Sequence, residues 1–462
     1  MKKQLIIIAL STLVLSSCGM YTKYQRPTDI SVEGLYGSAQ SGDSVGVGAK
    51  AWREFFTDPT LQALIDSALH KNSSLRQVDN QILESQAYLK VSKLAYIPAL
   101  QFTPSGTLSA WDWNSPSKIY SLPVSASWQI GSLGYLRNNK WKAEVGLQQV
   151  QEARQAVQQS LVANIANLYY TLCMLDAELA VSEETVVKWR KLLQHTKDLM
   201  NAGRSNKAAV AQYEANCYSV ESSVLDLKQA ITEAENALCT ILGEAPHHIE
   251  RQSLATFVAP AQMETGIPML LLSNRPDVKQ SELALASAYY DVHIARSSFY
   301  PSLNITGTLG FTNSAGSVII NPGKFIWNAV ASLAQPIFQN GRLRAQYKVA
   351  KLEEENKRLD FCQTLIAAGN EVNTAVTKLQ TVQGKKQFIV GQVQSLQDAV
   401  TATEALFLNS TSVNYLNVLT AQTSLLSAQL GQISNDYAEI QATIQLYQAL
   451  GGGSLAEVSA ER

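Results

Sequence analysis

Residues 75–100 (LRQVDNQILESQAYLKVSKLAYIPAL) and 278–303 (VKQSELALASAYYDVHIARSSFYPSL) read as two copies of one segment, with Pro98 falling on Pro301. The correspondence continues down the chain. Gly134-Tyr135-Leu136-Arg137 falls on Gly341-Arg342-Leu343-Arg344, and Leu242-Gly243 on Leu450-Gly451, while the offset drifts only from 203 to 207 to 208. A duplication of about 200 residues is the mark of a repeated structural unit. Both halves must therefore hold the same elements in the same order, and an element that needs a neighbour needs it twice.

The segment after each proline alternates. Leu303, Ile305, Gly307, Leu309 and Phe311 share one face, and Asn304, Thr306, Thr308, Gly310 and Thr312 the other. Beyond a Gly-, Asn- and Ser-rich stretch, Phe325, Trp327, Ala329, Ala331 and Leu333 resume the apolar phase, opposite Asn328, Ser332 and Ala334. In the first copy Phe102, Pro104, Gly106, Leu108 and Ala110, then Tyr120, Leu122, Val124, Ala126, Trp128 and Ile130, alternate with polar residues. A period of two on either side of a turn-rich stretch is a β-hairpin. Pro104 and Pro123 sit awkwardly in such a sheet, and Trp111 and Trp113 fall on the polar phase. Each run has about 10–13 residues, the length of a tilted membrane strand.

Everything else follows a helical period. Leu161, Ile165, Leu168, Leu172, Leu175 and Leu179 form a heptad seam in a helix from about Asn139 to Ala202, and Leu365, Ala368, Val372, Ala375, Leu379 and Val382 form one in a helix from Leu343 to about Leu408. A helix of 64 residues is roughly 95 Å long, whereas the return helix covers roughly 55 Å and the helix before the hairpin about 35 Å. The two short helices placed end to end match the long one.

Four strands per chain cannot close a barrel, and an open edge is not tolerated in a bilayer. Three copies would give twelve strands, so a homotrimer is expected. The fold class that follows is mainly α with membrane β: long antiparallel coiled-coil helices and four strands given to a twelve-stranded trimeric barrel. The expected segments are a signal peptide (1–17), an N-terminal linker (18–57), a first repeat (58–243, hairpin 101–130), an inter-repeat linker (244–268), a second repeat (269–451, hairpin 303–338) and a tail (452–462).

Lys2 and Lys3 precede an apolar core, Leu5 to Leu15, and then Leu15-Ser16-Ser17-Cys18. This is an export signal, and its end resembles the bacterial lipobox, in which the cysteine is lipidated and becomes the mature N-terminus. A covalent lipid on Cys18 is the one non-protein group expected, with no cofactor and no metal. Charged residues make up 16% and the net charge is −1, which argues against nucleic acid. Mean hydropathy is −0.05, and no apolar run of about 20 residues follows the start. Cys173, Cys217, Cys239 and Cys362 lie in helical stretches without metal or redox spacing and read as small core residues.

The chain resembles the TolC-type outer-membrane factors, in the lipoprotein branch that serves multidrug efflux pumps. The stretches that carry the resemblance are Asn274-Arg275-Pro276-Asp277-Val278, Phe299-Tyr300-Pro301-Ser302-Leu303, Gln335-Pro336-Ile337-Phe338 with Gly341-Arg342-Leu343, and Leu446-Tyr447-Gln448-Ala449-Leu450-Gly451-Gly452-Gly453. The resemblance implies a trimer with an outer-membrane barrel and a periplasmic α-helical tunnel. It also implies a periplasmic adaptor (membrane fusion) protein and an inner-membrane transporter of the resistance-nodulation-division type as partners. This chain departs from the family in having Gln129 and Gly131 where acidic residues are usual, and Thr411 where the tip usually carries a glycine like Gly203.

The helix-hairpin tips, 201–206 and 409–414, are the expected periplasmic mouth. Asn201, Gly203, Arg204, Asn409 and Thr411 are candidate adaptor contacts. Asp198 and Glu404 are candidate gate residues, since threefold symmetry would make each a ring of carboxylates; the competing reading is two ordinary solvated helix charges. No HExxH, GxSxG or P-loop occurs, so an enzyme has no residues to stand on. A type I protein-secretion outlet and a periplasmic coiled-coil lipoprotein remain as alternatives to the efflux duct.

Overall fold

The computed structural model describes residues 22–27, 51–110, 112, 114–132, 134–257, 275–313, 324–409 and 414–452. Trp111, Trp113, Cys18 and Thr411 lie outside the described residues, as does the side chain of Asn409. The elements in order are α1 (Trp52–Phe55), α2 (Pro59–Lys71), α3 (Ser73–Leu94), β1 (Ala99–Phe102), β2 (Ser105–Ser109), β3 (Ser117–Gly131), α4 (Tyr135–Asn201) and α5 (Lys207–Leu242), then α6 (Pro276–Ser297), β4 (Ser302–Asn313), β5 (Lys324–Ala334), α7 (Arg342–Asn409) and α8 (Tyr415–Ala449). The chain divides into two compact units: residues 1–31, 78–153 and 279–364 form the first, and 32–77, 154–278 and 365–462 the second.

The first unit is built on one antiparallel sheet. β1 and β2 both pair with β3 in one continuous register, Phe102 opposite Val124 and Ser105 opposite Ser121. They are two pieces of a single edge strand, interrupted at Thr103 and Pro104, where Pro123 across the ladder has no N–H to donate to the Thr103 carbonyl. Five segments thus fill the four strand positions expected. Pro123 lies inside β3, where its carbonyl accepts from the Thr103 amide at 3.2 Å. The ladder bond it cannot donate is lost on the side of the interrupted edge strand.

The registers stack like on like. Phe102, Val124, Leu309 and Trp327 form one row across all four positions, and Gln101, Ser125, Thr308 and Asn328 the next. The apolar row is open, with Leu309 51% and Trp327 74% exposed. Phe311 and Phe325 meet edge to face at 5.7 Å on the same phase. β5 departs from the expected pattern, since Ile326 and Val330 share the face of Asn328 and Ser332. The second hairpin also ends earlier than expected: β5 stops at Ala334, and Ile337 and Phe338 beyond it are exposed.

The second unit holds the larger core. Asp58 caps α2 by accepting from the Thr60 amide at 2.8 Å, with Pro59 in the first turn. Leu61, Ile65 and Ala68 of α2 pack with Leu161, Ile165 and Leu172 of α4, Leu238 and Leu242 of α5, Val372 and Leu379 of α7, and Ile440, Ile444 and Tyr447 of α8. The α7 seam is buried at every expected position from Leu365 to Val382. Near the start of α8, Val418, Leu419, Gln422 and Leu425 are buried and Leu416 is exposed.

Both expected linkers contribute to packing. At the end of 18–57, Trp52, Phe55 and Phe56 are core residues, and Phe55 stacks on Tyr447 at 4.1 Å. In the inter-repeat linker Ile249 and Leu254 are buried. There the Arg251 guanidinium holds Asp176 through both carboxylate oxygens, at 2.5 and 2.9 Å, and Glu235 at 2.5 Å. Low helical periodicity concealed these segments, because their few apolar residues are spaced by turns rather than by a repeat.

Candidate functional site

Three places could serve a conduit: the strand wall, the junctions where short helices meet, and the helix tips. The sheet offers a solvent-open apolar row and two strand edges with no strand partner among the described residues. Of the described glycines in the strands, Gly310 in β4 leaves the least room for a side chain. A Cβ there would stand 2.4 Å from the Leu122 carbonyl oxygen and 2.7 Å from the Pro123 Cα.

The junctions are the same place in the two repeats, solved with different chemistry. In the first, Asn72 accepts from the Ser74 and Leu75 amides at the start of α3, while its Nδ2 donates to the Ile241 carbonyl at the end of α5, at 2.9 Å. In the second, the corresponding residue is Arg275. Its Nη1 donates to the Ala449 carbonyl at the end of α8 (2.9 Å), Nε and Nη2 to Asp277 in the first turn of α6 (3.0 and 2.7 Å), and Nη2 also to Glu371 of α7 (2.7 Å). The last carbonyls of one helix and the first turn of another are thereby satisfied together. This end-to-end meeting is what the helix lengths demanded. Burial alone would raise the Asp277 carboxyl, but the bonds and charge of Arg275 outweigh it and hold the group below the usual carboxylate range. The role of Asn72 and Arg275 was not legible in sequence, although Arg275 stands inside the most specific motif.

At the first tip, Asp198, Asn201, Gly203 and Arg204 fall in one exposed turn. Gly203 has φ +72°, and the Arg204 amide donates to the Leu199 carbonyl at 2.8 Å, closing α4. Asp198 accepts from Gln194 at 2.9 Å and stays open to solvent. Asn206 and Asn414 are matching caps: their Oδ1 atoms accept from Ala209, and from Leu416 and Asn417. Asn409 ends α7.

Glu404 differs from Asp198. It is half-buried and accepts from Gln422 Nε2 of α8 at 2.6 Å. Beside this pair Tyr213 of α5, fully buried against Leu192 of α4 and Leu419 of α8, joins the two helix pairs. Burial, and then the Glu404 charge, push the Tyr213 hydroxyl well above its ordinary range. Sequence reasoning found Glu404 but not Tyr213 or Gln422.

Among the described residues no helix is long and apolar enough to cross a membrane, and no group of three or more His, Cys, Asp or Glu side chains is placed to hold a metal. Cys173, Cys217 and Cys239 are free and buried, Cys362 free and half-buried. Burial pushes the Cys173 thiol up to about 12.

A duplicated helical scaffold and one sheet with an exposed apolar row are what the sequence expects of an outer-membrane conduit subunit. The family model described as outer membrane efflux protein matches residues 64–244 and 267–452, and the chain belongs to that family: it is the outer-membrane channel component of an efflux system. It is similar to the cation efflux system protein CusC of Escherichia coli K12, with 27% identity over 96% of this chain and 97% of that one. It is similar also to the probable outer membrane lipoprotein SilC of Salmonella typhimurium, with 25% identity over 97% and 99%. Among solved structures, CusC superposes with a TM-score of 0.84 at 26% identity, covering 94% of this chain and 99% of that one. The open-state MtrE channel of Neisseria gonorrhoeae superposes at 0.84 with 22% identity, covering 94% and 98%.

Proposed function

We propose that the chain is one third of a passive homotrimeric duct that carries small molecules from a tripartite pump across the outer membrane. The observation that carries this reading is the sheet: four strand positions, an exposed apolar row, and two open edges formed by β1 with β2 and by β5. Strand direction alternates across the sheet. In a closed ring β5 of one copy would therefore lie antiparallel to the β1–β2 edge of the next, giving twelve strands with lipid outside and Gln101, Thr308 and Asn328 towards water. Purified protein is expected to cross-link to a trimer and to migrate differently before and after boiling; a monomer with heat-insensitive migration would overturn the reading.

Energy would come from a resistance-nodulation-division transporter through a periplasmic adaptor, since nothing in a passive wall can drive transport. Relatives named for cations and for toluene share this scaffold, which favours substrate choice by the transporter rather than by the wall. Cys18 would carry the lipid anchor.

The tips would form the periplasmic mouth, with Asn201, Gly203 and Arg204, and in the second repeat Asn409 and Thr411, as adaptor contacts. Of the two carboxylates, Asp198 is the better ring charge, because it faces solvent, whereas Glu404 is engaged by Gln422 as a tie between helices. Asp198→Ala should lower cation-over-anion selectivity in planar-bilayer recordings while leaving the trimer intact; unchanged conductance and selectivity would remove Asp198 from the gate.

A further inference from the structure

Inside the first unit the two repeats are joined on one side. β3 of the first repeat pairs with β4 of the second, with Val124 opposite Leu309 and Ser125 opposite Thr308. Next to that ladder, the helix that leaves β3 packs on the helix that enters β4. Lys142 of α4 donates to Asp291 of α6 at 2.6 Å, and the rings of Trp141 and Tyr290 meet at 5.7 Å. The duplication supplies a second set of the same parts: β5 with α7, and the β1–β2 edge with α3. These are not joined. β5 and β1 stand at opposite ends of the strand order, and the corresponding faces of α7 and α3 are open.

The offsets of the duplication fix which residues stand at the open joint. Adding 207 carries Lys142 of α4 to Val349 of α7, and subtracting 203 carries Asp291 of α6 to Tyr88 of α3. Val349 is 56% and Tyr88 72% exposed. Both members of a packed ion pair are thus replaced together, by side chains that need burial rather than a counter-ion. On a solvated face nothing couples two such changes. At a shared joint they must go together, since either charge left alone there would be buried without its partner. The surroundings agree: Leu83 is exposed where its counterpart Ala286 is buried, and Val91 and Leu352 are open as well.

We infer that a second copy of this chain fills the open joint in the geometry of the closed one, with α7 of one copy on α3 of the next and the strand edges in one defined register. The same offsets turn the closed-ladder pair Ser125–Thr308 into Ser332 of one copy opposite Ser105 of the next, and Val124–Leu309 into Ala331 opposite Gly106. In this register polar meets polar and apolar meets apolar, as across the rest of the sheet. A slip of one residue would set Ser332 on the apolar row. The inference rests on the homotrimeric reading and gives it a partner surface. Copies are joined by an apolar helix seam where the repeats within a chain are joined by an ion pair. A lone chain leaves Tyr88 and Val349 in water, and association is what buries them.

The test uses the purified full chain in detergent. Ser105→Cys with Ser332→Cys should form a disulfide between copies on mild oxidation, because opposed residues of adjacent strands hold their Cα atoms about 4.5–5.5 Å apart, within the span of a disulfide. Ser105→Cys with Asn328→Cys, displaced by about 14 Å along the strand, should form none. Tyr88→Asp and Val349→Lys should each lower the trimer fraction at limiting concentration, read by sedimentation, at least about fivefold, since each puts a lone charge into an apolar seam. The double variant rebuilds the ion pair of the closed joint and should return the fraction to within about twofold of wild type. Trimers in which the Ser332→Cys pair fails to link would overturn the register. Undiminished trimer in both single charge variants, or no recovery in the double variant, would overturn the helix seam. A wild-type chain that sediments as a monomer would instead overturn the homotrimeric reading itself.

Discussion

Arg275→Ala is expected to lower the unfolding stability of the second unit by about 2–3 kcal/mol, at or below the lower limit of the roughly 3–5 kcal/mol that breaking a buried ion pair costs. The guanidinium is 8% exposed, but Asp277 and Glu371 are about half open to water, so their charges are rehydrated once the arginine is gone. What is lost outright is the satisfaction of the Ala449 carbonyl and the tie between the end of α8 and the start of α6. Arg275→Lys should recover little, because an ammonium cannot present the planar fork that reaches three partners at once. The Asn72→Ala change at the equivalent junction should cost only about 1 kcal/mol, the usual value of a neutral cap. Urea midpoints followed by circular dichroism provide the comparison; equal midpoints for wild type and Arg275→Ala would refute this account of the junction.

The same residue sets an acid dependence. Asp277 has its pKa depressed in the folded chain. Its contribution is therefore present above the ordinary carboxylate pKa of about 4 and disappears as pH falls through the lower folded value. Wild type should lose stability over that acid range more steeply than Arg275→Ala, in which the depression is removed.

The second large effect is expected at Gly310. A side chain there meets backbone atoms of β3, the Leu122 carbonyl oxygen at 2.4 Å and the Pro123 Cα at 2.7 Å, and backbone held in a ladder cannot step aside without breaking its register. Gly310→Val should exceed the roughly 1–3 kcal/mol typical of overpacking and abolish the heat-sensitive form. Gly307→Ala is the control on the same strand: its Cβ would meet only the Asn328 carbonyl oxygen, at 3.9 Å, and wild-type migration is expected. If Gly310→Val assembles as well as Gly307→Ala, β3 and β4 are not packed as described.

The duplication, the two periodicities and the element lengths were written in the chain, because each is a property of spacing along it. Alternation placed Leu309 and Trp327 on one face before any register was known. The heptads of α4 and α7 located their buried stripes, and the mismatch of helix lengths required a meeting of short helices. Other features had no periodic signal to betray them. Glu404 looked like Asp198 in sequence, and only its burial beside Tyr213 and Gln422 separates a helix tie from a solvated charge. Arg251 and Arg275 bind partners 75 and 174 residues away, contacts that exist only once helices from distant parts of the chain are packed.

Local pattern therefore determined which elements form and which faces they bury, since period and propensity act over a few residues. The tertiary structure alone decided that the bond Pro123 cannot donate is lost only towards the edge strand, why Gly310 admits no side chain, and which helix ends Arg275 ties together. Each of these depends on what lies across a register or beside a helix, and such neighbours are chosen by the packing of the whole chain.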